Sequence, residues 1–246
     1  MSERVVEILW TGGFDSTFRM TQLSRCDVDI QPYYMCDNRN SESKELEAIK
    51  NISERLMKYE QTKCRIRPVI KVDMAERIEN EEITAAYKRI TEKRHLGTQY
   101  DWLGRFAEKH PGIEVGVHDQ AIGLIKEYGD IIQVEDEVIG NYCIVDREKT
   151  DKDICLLFQN MHIPLIGYTK LKMKEEYLKG GYEDVMRMTW FCYNPIRNKP
   201  CGFCTPCRTT REEGMTEWFG TEANIRYKLA PKLVKSSIGR RILWYI

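Results

Sequence analysis

The chain has 246 residues, which suffices for one α/β domain with a full core or for one domain with an insert. Its 38 lysines and arginines balance 38 acidic residues, so the total charge does not favour wrapping nucleic acid. No run reaches the ~20 apolar residues of a membrane span, and the apolar segment after Arg4 is too short for a signal peptide. We therefore expect a cytoplasmic protein that acts on a small molecule, with no membrane association.

The N-terminal part predicts strands alternating with helices. Residues 5–10 form an apolar strand, residues 11–13 break it, and the periodic apolar residues that follow Asp15 predict a helix. Residues 30–36 predict a second strand rich in aromatic residues. Apolar residues at three- and four-residue spacing over 46–56 predict the next helix.

The middle of the chain continues this alternation. Residues 65–72 predict a strand that Pro68 places near the edge of a sheet, because proline cannot donate a backbone hydrogen bond. Two helices are expected over 73–94 and 99–110, before a short strand at 113–117.

The later elements are a helix, a hairpin and a final strand–helix unit. A helix over 121–128 precedes an alternating segment at 131–145 that turns near Asp136, which predicts a β-hairpin or an insert on the main sheet. Residues 163–166 predict the last strand of the sheet, and 169–178 the helix after it.

Strands alternating with helices predict an α/β fold with a doubly wound, mostly parallel sheet of Rossmann-like type. We expect a nucleotide-binding domain at 1–182, a divergent or inserted region at about 73–160, and a zinc-binding region at 183–246.

A glycine turn between the first strand and the first helix is the first candidate site. Two glycines let a backbone approach a ligand closely, and the helix N-terminus attracts anions. The predicted phosphate-binding residues are Thr11, Gly12, Gly13, Phe14, Asp15, Ser16 and Thr17.

Other interpretations of this turn remain open. The segment lacks the lysine and spacing of a Walker A loop, which disfavours transfer of a γ-phosphate. An ordinary strand–turn–helix corner is the alternative, and in that case Asp15 or Ser16 caps the helix.

A cluster of cysteines near the C-terminal end is the second candidate site. The spacing is C-x8-C-x2-C-x2-C, and it is formed by Cys192, Cys201, Cys204 and Cys207. Paired C-x2-C turns are typical of a tetrahedral zinc site, and four thiolates leave no open position for catalysis. An iron–sulfur cluster and catalytic cysteines, as in tRNA thiolation enzymes, are the rival interpretations.

The glycine turn resembles the PP-loop of N-type ATP pyrophosphatases, usually Ser-Gly-Gly-any-Asp-Ser, with Thr11 in place of the first serine. The resemblance implies an adenine nucleotide alpha hydrolase-like fold. It also implies that the loop binds the pyrophosphate of ATP, with adenine against the second strand near residues 33–36, where Tyr34 and Met35 are the predicted cofactor-binding residues.

Both ends of the chain together resemble 7-cyano-7-deazaguanine synthases. The segment Cys192-Tyr193-Asn194 before the other cysteines is similar to that family's pattern, as are residues 164–170. The resemblance implies that Lys170 meets the α-phosphate and that Asp15 and Ser16 act with it in catalysis. Residues 73–160 do not share the resemblance.

The family implies a specific reaction. Its members adenylate 7-carboxy-7-deazaguanine with ATP and Mg²⁺, let ammonia displace AMP to form an amide, and activate the amide again to give the nitrile. Zn²⁺ is implied at the cysteines, and a homodimer is a possible assembly.

Three alternatives are retained. A divergent relative joins the activated carboxylate to another amine, possibly on a protein. A PP-loop enzyme that modifies tRNA is disfavoured by the neutral charge. A non-catalytic nucleotide-binding module is the last.

Several charged residues have open roles. His118 and Asp119 follow a strand and can face a nucleotide. Alternatively, Asp119 caps the next helix and His118 is a histidine whose hydrogen bonds are made within the protein. Arg39 and Lys44 can meet a carboxylate or solvent. Residues 135–137 predict a solvated turn rather than a magnesium site, and the basic and aromatic tail at 240–245 can pack on either its own or a second subunit.

Overall fold

The computed structural model of the protein describes residues 4–74, 78–117 and 119–233. Its main sheet has six strands, and all the pairings between them are parallel. The strands are β1 (Val5–Leu9), β2 (Asp29–Cys36), β3 (Arg65–Ile66), β4 (Ile70–Asp73), β5 (Ile113–Glu114) and β8 (Met161–His162). A separate antiparallel pair consists of β6 (Ile131–Val134) and β7 (Tyr142–Val145).

The order of the strands changes direction beside β1. The sheet runs β3-β2-β1-β5-β8, and β4 continues β3 along the same edge of β2. The chain thus builds outward from β1 on one side and then returns to add β5 and β8 on the other. In open parallel sheets, such a reversal leaves a crevice at the carboxyl ends of the strands, where ligands bind.

Helices cover both faces of the sheet. One face carries α1 (Phe14–Leu23), α2 (Glu42–Leu56), α7 (Lys170–Lys179) and α8 (Glu183–Arg187). The opposite face carries α3 (Glu81–Lys93), α4 (Gln99–Lys109), α5 (Asp119–Tyr128) and α6 (Lys152–Phe158). The predicted α/β class with a parallel sheet is confirmed.

The cysteines lie in a third, smaller core. The helices around this core are α9 (Thr205–Glu212), a short 3-10 helix (Thr216–Trp218) and α10 (Thr221–Leu233). Residues 190–219, from the tryptophan before the first cysteine to Phe219, are called the cysteine element below.

Burial on both faces explains why β1 and β2 are apolar runs. Ile8 packs into the core beneath α1 and α2, whereas the next residue, Leu9, packs into the core beneath α4 and α5. Such two-sided burial is typical of parallel sheets. It also positions the end of β1 between two helical layers.

The structure corrects several predicted boundaries. The strand expected at 65–72 is interrupted around Pro68 and lies at the sheet edge, as that proline predicted. The helix expected from residue 73 begins only at Glu81, because Asp73 ends β4 and Asn80 caps the helix by accepting a hydrogen bond from Ile83 N at 3.0 Å.

The last predicted strand is also displaced. β8 covers Met161–His162, and Ile163 then forms an antiparallel bridge with Cys143 of the hairpin. Residues 165–168 form a turn, which the hydrogen bond from Tyr168 N to Leu165 O closes at 3.1 Å. The hairpin predicted at 131–145 is confirmed.

Some expectations fall outside what the structure describes. His118 and the tail at 240–245 lie outside the described residues. Within the described ranges, no helix combines the length and the apolar composition needed to cross a bilayer.

Candidate functional site

The glycine turn begins with a backbone conformation that requires glycine, and no side chain caps the helix that follows it. Gly12 has φ of +68°, and a Cβ there would lie 2.9 Å from Glu45 O, so only glycine fits without strain. Gly13 is the N-cap of α1 in an extended conformation, with no side chain capping it. Asp15 and Ser16 lie inside the first helical turn, so the alternative that either residue caps the helix is wrong.

A cavity of about 870 Å³ opens beside this turn, within the ~300–1,000 Å³ typical of small-molecule sites. It lies at the carboxyl ends of β1, β2 and β5. Its walls include Leu9, Thr11, Gly13, Phe14, Asp15, Ser16, Tyr33, Met35, Asp37, Asn38, Arg39, Asn40, Thr98, Gln99, Trp102, Leu103, Val115, Gly116, Tyr193 and Asn194. Most residues of the predicted phosphate loop therefore share one concavity.

Thr17 is a predicted site residue whose side chain lies elsewhere. It is fully buried, and its hydroxyl accepts a hydrogen bond from Trp10 Nε1 at 3.1 Å. The expectation that this hydroxyl faces a phosphate is wrong, because the side chain is on the core side of α1.

Tyr34 is likewise turned away from the cavity. Its ring is buried on the face covered by α2, and its hydroxyl donates to Glu45 Oε2 at 2.9 Å. Burial, reinforced by the Glu45 carboxylate, raises the pKa of Tyr34. Since alternate strand residues point to opposite faces, the predicted Met35 does line the cavity, and Tyr33 lines it in place of Tyr34.

Tyr33 presents a ring rather than a free hydroxyl. Its hydroxyl donates to Glu7 Oε1 at 2.8 Å, and burial raises its pKa to about 12, with the hydrogen bond to Glu7 adding to the effect. The ring also packs against Phe106 and His110 of the α4 region. Tyr33 therefore contributes an aromatic ring surface to the cavity wall.

Lys170 reaches the glycine turn from α7, which packs on the same face of the sheet as α1. It is the first residue of α7, which Thr169 caps by accepting from Lys172 N at 3.2 Å. The Lys170 ammonium group forms an ion pair with the Asp15 carboxylate and lies 4.8 Å from the centre of the Phe14 ring. The predicted catalytic residues Asp15, Ser16 and Lys170 are thus close together.

The wall facing the turn was not foreseen from the sequence. It comes from the start of α4 and the residue before it, where Thr98, Gln99, Trp102 and Leu103 line the cavity. A tryptophan four residues before a buried phenylalanine, as Trp102 is before Phe106, is a weak signal, because the same pattern occurs in any packed helix.

The two basic residues predicted near the second strand have different surroundings. Arg39 lines the cavity, donates to Met35 O at 3.2 Å and lies 3.4 Å from Glu45 Oε2. Lys44 pairs with Glu47 at 2.6 Å and is not among the lining residues. Of the two, Arg39 alone is placed to meet a ligand.

The acidic run at 135–137 forms a turn, as predicted. Asp136 accepts backbone hydrogen bonds from Val138 and Ile139 at 2.9 and 3.0 Å and pairs with Arg4. The hydrogen bond from Arg4 lowers the pKa of Asp136 to about 2. These contacts give Asp136 a structural role.

The sulfur atoms of Cys192, Cys201, Cys204 and Cys207 lie within 4.8 Å of one another. Two of the separations are 3.8 Å (Cys201 to Cys207) and 3.9 Å (Cys192 to Cys204). A zinc–sulfur bond of ~2.3 Å gives a tetrahedron with an edge of about 3.8 Å, so the cysteines can hold a metal ion such as zinc. A four-iron cluster would need its sulfurs farther apart, because irons and sulfides lie between them.

Nearby donors and cations suit a negatively charged site. Cys201 N donates to Cys192 Sγ at 3.2 Å, and Cys204 N donates to Cys201 Sγ at 3.3 Å. Arg226 is 1% exposed and donates to Cys201 O at 2.8 Å. Burial lowers the pKa of Arg211, whereas the neighbouring Cys207 opposes this shift. With a metal ion bound, these two guanidinium groups would offset part of the charge of four thiolates.

Two contacts join the cysteine element to the glycine turn, and a third joins it to the loop after β2. Trp190 N donates to Gly12 O at 2.8 Å. The ring of Trp218 packs edge-on to Phe14, with ring centres 5.8 Å apart. In addition, Asn40 Nδ2 donates to Asn194 Oδ1 at 3.3 Å across the cavity rim. The candidate metal centre is therefore adjacent to the cavity.

Neither a protein-family model nor a curated protein sequence matches the chain. The likeness to PP-loop enzymes therefore depends on the residues of the glycine turn, the segment that ends at Lys170 and the cysteine element, and it stays a prediction.

Proposed function

We propose that the protein is an ATP-dependent ligase that adenylates a carboxylate and releases pyrophosphate. The observation that carries this proposal is the position of the glycine turn. It begins α1 at the carboxyl end of β1, faces the cavity with Asp15 and Ser16, and lies beside Lys170. This arrangement favours a ligand with several negative charges.

The triphosphate would lie along the glycine turn. Backbone N–H groups at the start of α1 and the helix dipole attract phosphate oxygens, and the Ser16 hydroxyl lies in the same wall. Lys170 would move from Asp15 towards the α-phosphate as charge develops there. Mg²⁺ neutralises phosphate charge, and Asp15 and Asp37 offer the oxygen ligands that it prefers.

The adenine ring fits the apolar wall better than the rim. Tyr33, Met35 and Trp102 give this wall aromatic and thioether surfaces that suit a planar base. The reversal of strand order beside β1 supports the finer assignment of a Rossmann-like, adenine nucleotide alpha hydrolase-like fold.

The reaction needs no nucleophile from the protein. A carboxylate oxygen attacks the α-phosphorus, the bond to pyrophosphate breaks, and an acyl adenylate forms. Ammonia then attacks the acyl carbon, AMP leaves, and a proton passes to solvent to give the amide. A second adenylation, on the amide oxygen, allows loss of AMP and a proton to give the nitrile. The proposed substrate is 7-carboxy-7-deazaguanine, and the nitrile is 7-cyano-7-deazaguanine.

The second candidate is a ligase that uses an amine other than ammonia, possibly one on a protein. It is favoured by the wall that α4 contributes, since Gln99 and Trp102 come from the region without family resemblance. A tRNA-modifying enzyme is less well supported, because all four clustered cysteines fit as metal ligands. A Zn²⁺ ion there would have a structural role.

A pyrophosphate-release assay with mass spectrometry of the products tests the proposal. The purified protein receives ATP, Mg²⁺, 7-carboxy-7-deazaguanine and ammonium. We expect pyrophosphate, AMP and the amide or nitrile, and we expect Asp15→Ala to abolish them while the exposed Asp27→Ala retains them. ATP cleavage without an amide or nitrile would favour the second candidate, and nucleotide binding without cleavage would indicate a non-catalytic module.

A further inference from the structure

We propose that metal occupancy of the four cysteines sets the affinity of the neighbouring cavity for ATP, with Trp190 and Asn194 as the positioning residues. This inference rests on the proposed function, because it takes ATP as the ligand of the cavity. It goes beyond a structural role for the metal, since it predicts that metal binding and ATP binding are thermodynamically coupled.

The first link is between the backbones of two segments. Trp190 N donates to Gly12 O at 2.8 Å, and this bond directs the Gly12 carbonyl towards the cysteine element. In a planar trans peptide, the N–H of the next residue points the opposite way. Holding the Gly12 carbonyl therefore also holds the orientation of the Gly13 N–H in the loop that would bind phosphate.

The second link ties Trp190 to the metal ligands. Its indole Nε1 donates to Cys192 O at 2.8 Å, so the tryptophan is fixed at both its backbone and its ring. Cys192 is fully buried, and its Sγ also accepts from Cys201 N at 3.2 Å. A metal ion at this sulfur would hold the residues that orient the glycine turn.

The third link is the cavity wall itself. Tyr193 and Asn194 follow the first ligand directly and line the cavity. They belong to the long loop that Cys192 and Cys201 close. Metal binding to such a loop supplies the free energy that orders it. Asn194 also accepts from Asn40 at 3.3 Å, which joins this wall to the loop after β2.

Coupling between two sites is reciprocal. If the bound metal strengthens ATP binding, then ATP must strengthen metal binding by the same factor, typically ~5–150-fold. The zinc affinity therefore reports the coupling directly, without any measurement of enzymatic activity.

The experiment is an equilibrium competition for zinc with a chelator that changes absorbance when it binds the metal. It is run with and without ATP and Mg²⁺ on the wild type, Asn194→Ala and Lys199→Ala. Lys199 is the matched control, because it lies in the same loop but pairs with Glu222 at the surface. Each protein receives ATP at the same multiple of its own Kd, determined by calorimetry.

We expect ATP to tighten zinc binding at least fivefold in the wild type and in Lys199→Ala, and clearly less in Asn194→Ala. An equal shift in all three would overturn the inference, because any ligand of a folded chain stabilises its metal-bound form by mass action. ATP binding without a shift in zinc affinity would also overturn it while leaving the proposed function intact. Absence of ATP binding to the metal-loaded protein would refute the proposed function, and the inference with it.

Discussion

Lys170 and Asp15 form an ion pair although 155 positions separate them in the chain. The lysine side chain is only 15% exposed, and the aspartate lies in the first turn of α1. The pair joins the start of α7, which follows β8 in the chain, to the glycine turn, which follows β1. The Lys170 ammonium group therefore lies next to the loop that we propose binds phosphate.

Lys170→Met tests whether this cation acts on the reaction. We expect the rate of ATP-dependent pyrophosphate release to fall about 100-fold, as when one preorganised group that stabilises developing charge is removed. Lys179→Met, at the exposed C-terminal end of the same helix, should retain the wild-type rate. Equal rates for the two variants would contradict the role of Lys170.

Gly12→Ala tests the geometry of the turn. A non-glycine residue at positive φ costs about 1–2 kcal/mol, and here the new Cβ would also lie 2.9 Å from Glu45 O. Urea unfolding should therefore show a larger loss of stability than for Gly140→Ala. Gly140 has a similar φ of +78°, but a Cβ at that position would meet no heavy atom of the described residues within 4 Å. A loss no larger than that of the control would show that the close approach to α2 is not constraining.

Cys204→Ser tests the metal centre. We expect the wild type to contain one zinc ion per chain by elemental mass spectrometry, and the variant to contain much less, because serine is a poor zinc ligand. Cys155→Ser removes a cysteine outside the cluster and should leave the metal content unchanged. Iron and acid-labile sulfide in the wild type would instead identify an iron–sulfur cluster.

Asp29→Asn tests the pH dependence of stability. Hydrogen bonds from Arg65 and then Arg67 lower the pKa of Asp29 from 3.8 to about 2. The charged carboxylate therefore stabilises the fold above pH 3.8, and this contribution is lost as the pH falls towards 2.

We expect the free energy of unfolding of Asp29→Asn to be lower than that of the wild type at pH 7, and the difference to shrink near pH 2. The exposed Asp27→Asn is the control, and it should follow the wild type. A difference that is constant with pH would show that the ion pairs with Arg65 and Arg67 do not carry the effect.

The sequence predicted the alternation of strands and helices well, because long apolar runs such as 30–36 are buried on both faces. Because both faces of these strands are buried, the sequence did not indicate which of their residues face the cavity. With two buried faces, hydrophobicity does not distinguish Tyr33 and Met35, which line the cavity, from Tyr34, which fills the opposite core. Which face each of these side chains occupies depends on how the strand packs against the helices, and those helices come from distant parts of the chain.

The cysteine spacing was sufficient to predict a metal site, since its ligands are close in the chain. Contacts between distant segments were not predictable. The bond from Trp190 N to Gly12 O uses backbone atoms that every residue possesses, so the sequence carries no signal of it. The role of Trp102 depends on how α4 packs against the sheet, and short-range patterns do not contain that information.

The interruption of the outer strand has a consequence for assembly. Between β3 and β4, Pro68 has no backbone N–H to offer, and the two short segments present a broken row of donors and acceptors. Such a margin resists the addition of a strand from another molecule, which protects the chain against edge-to-edge aggregation. We therefore do not expect a homodimer of this protein to form by extending the sheet past β3 and β4.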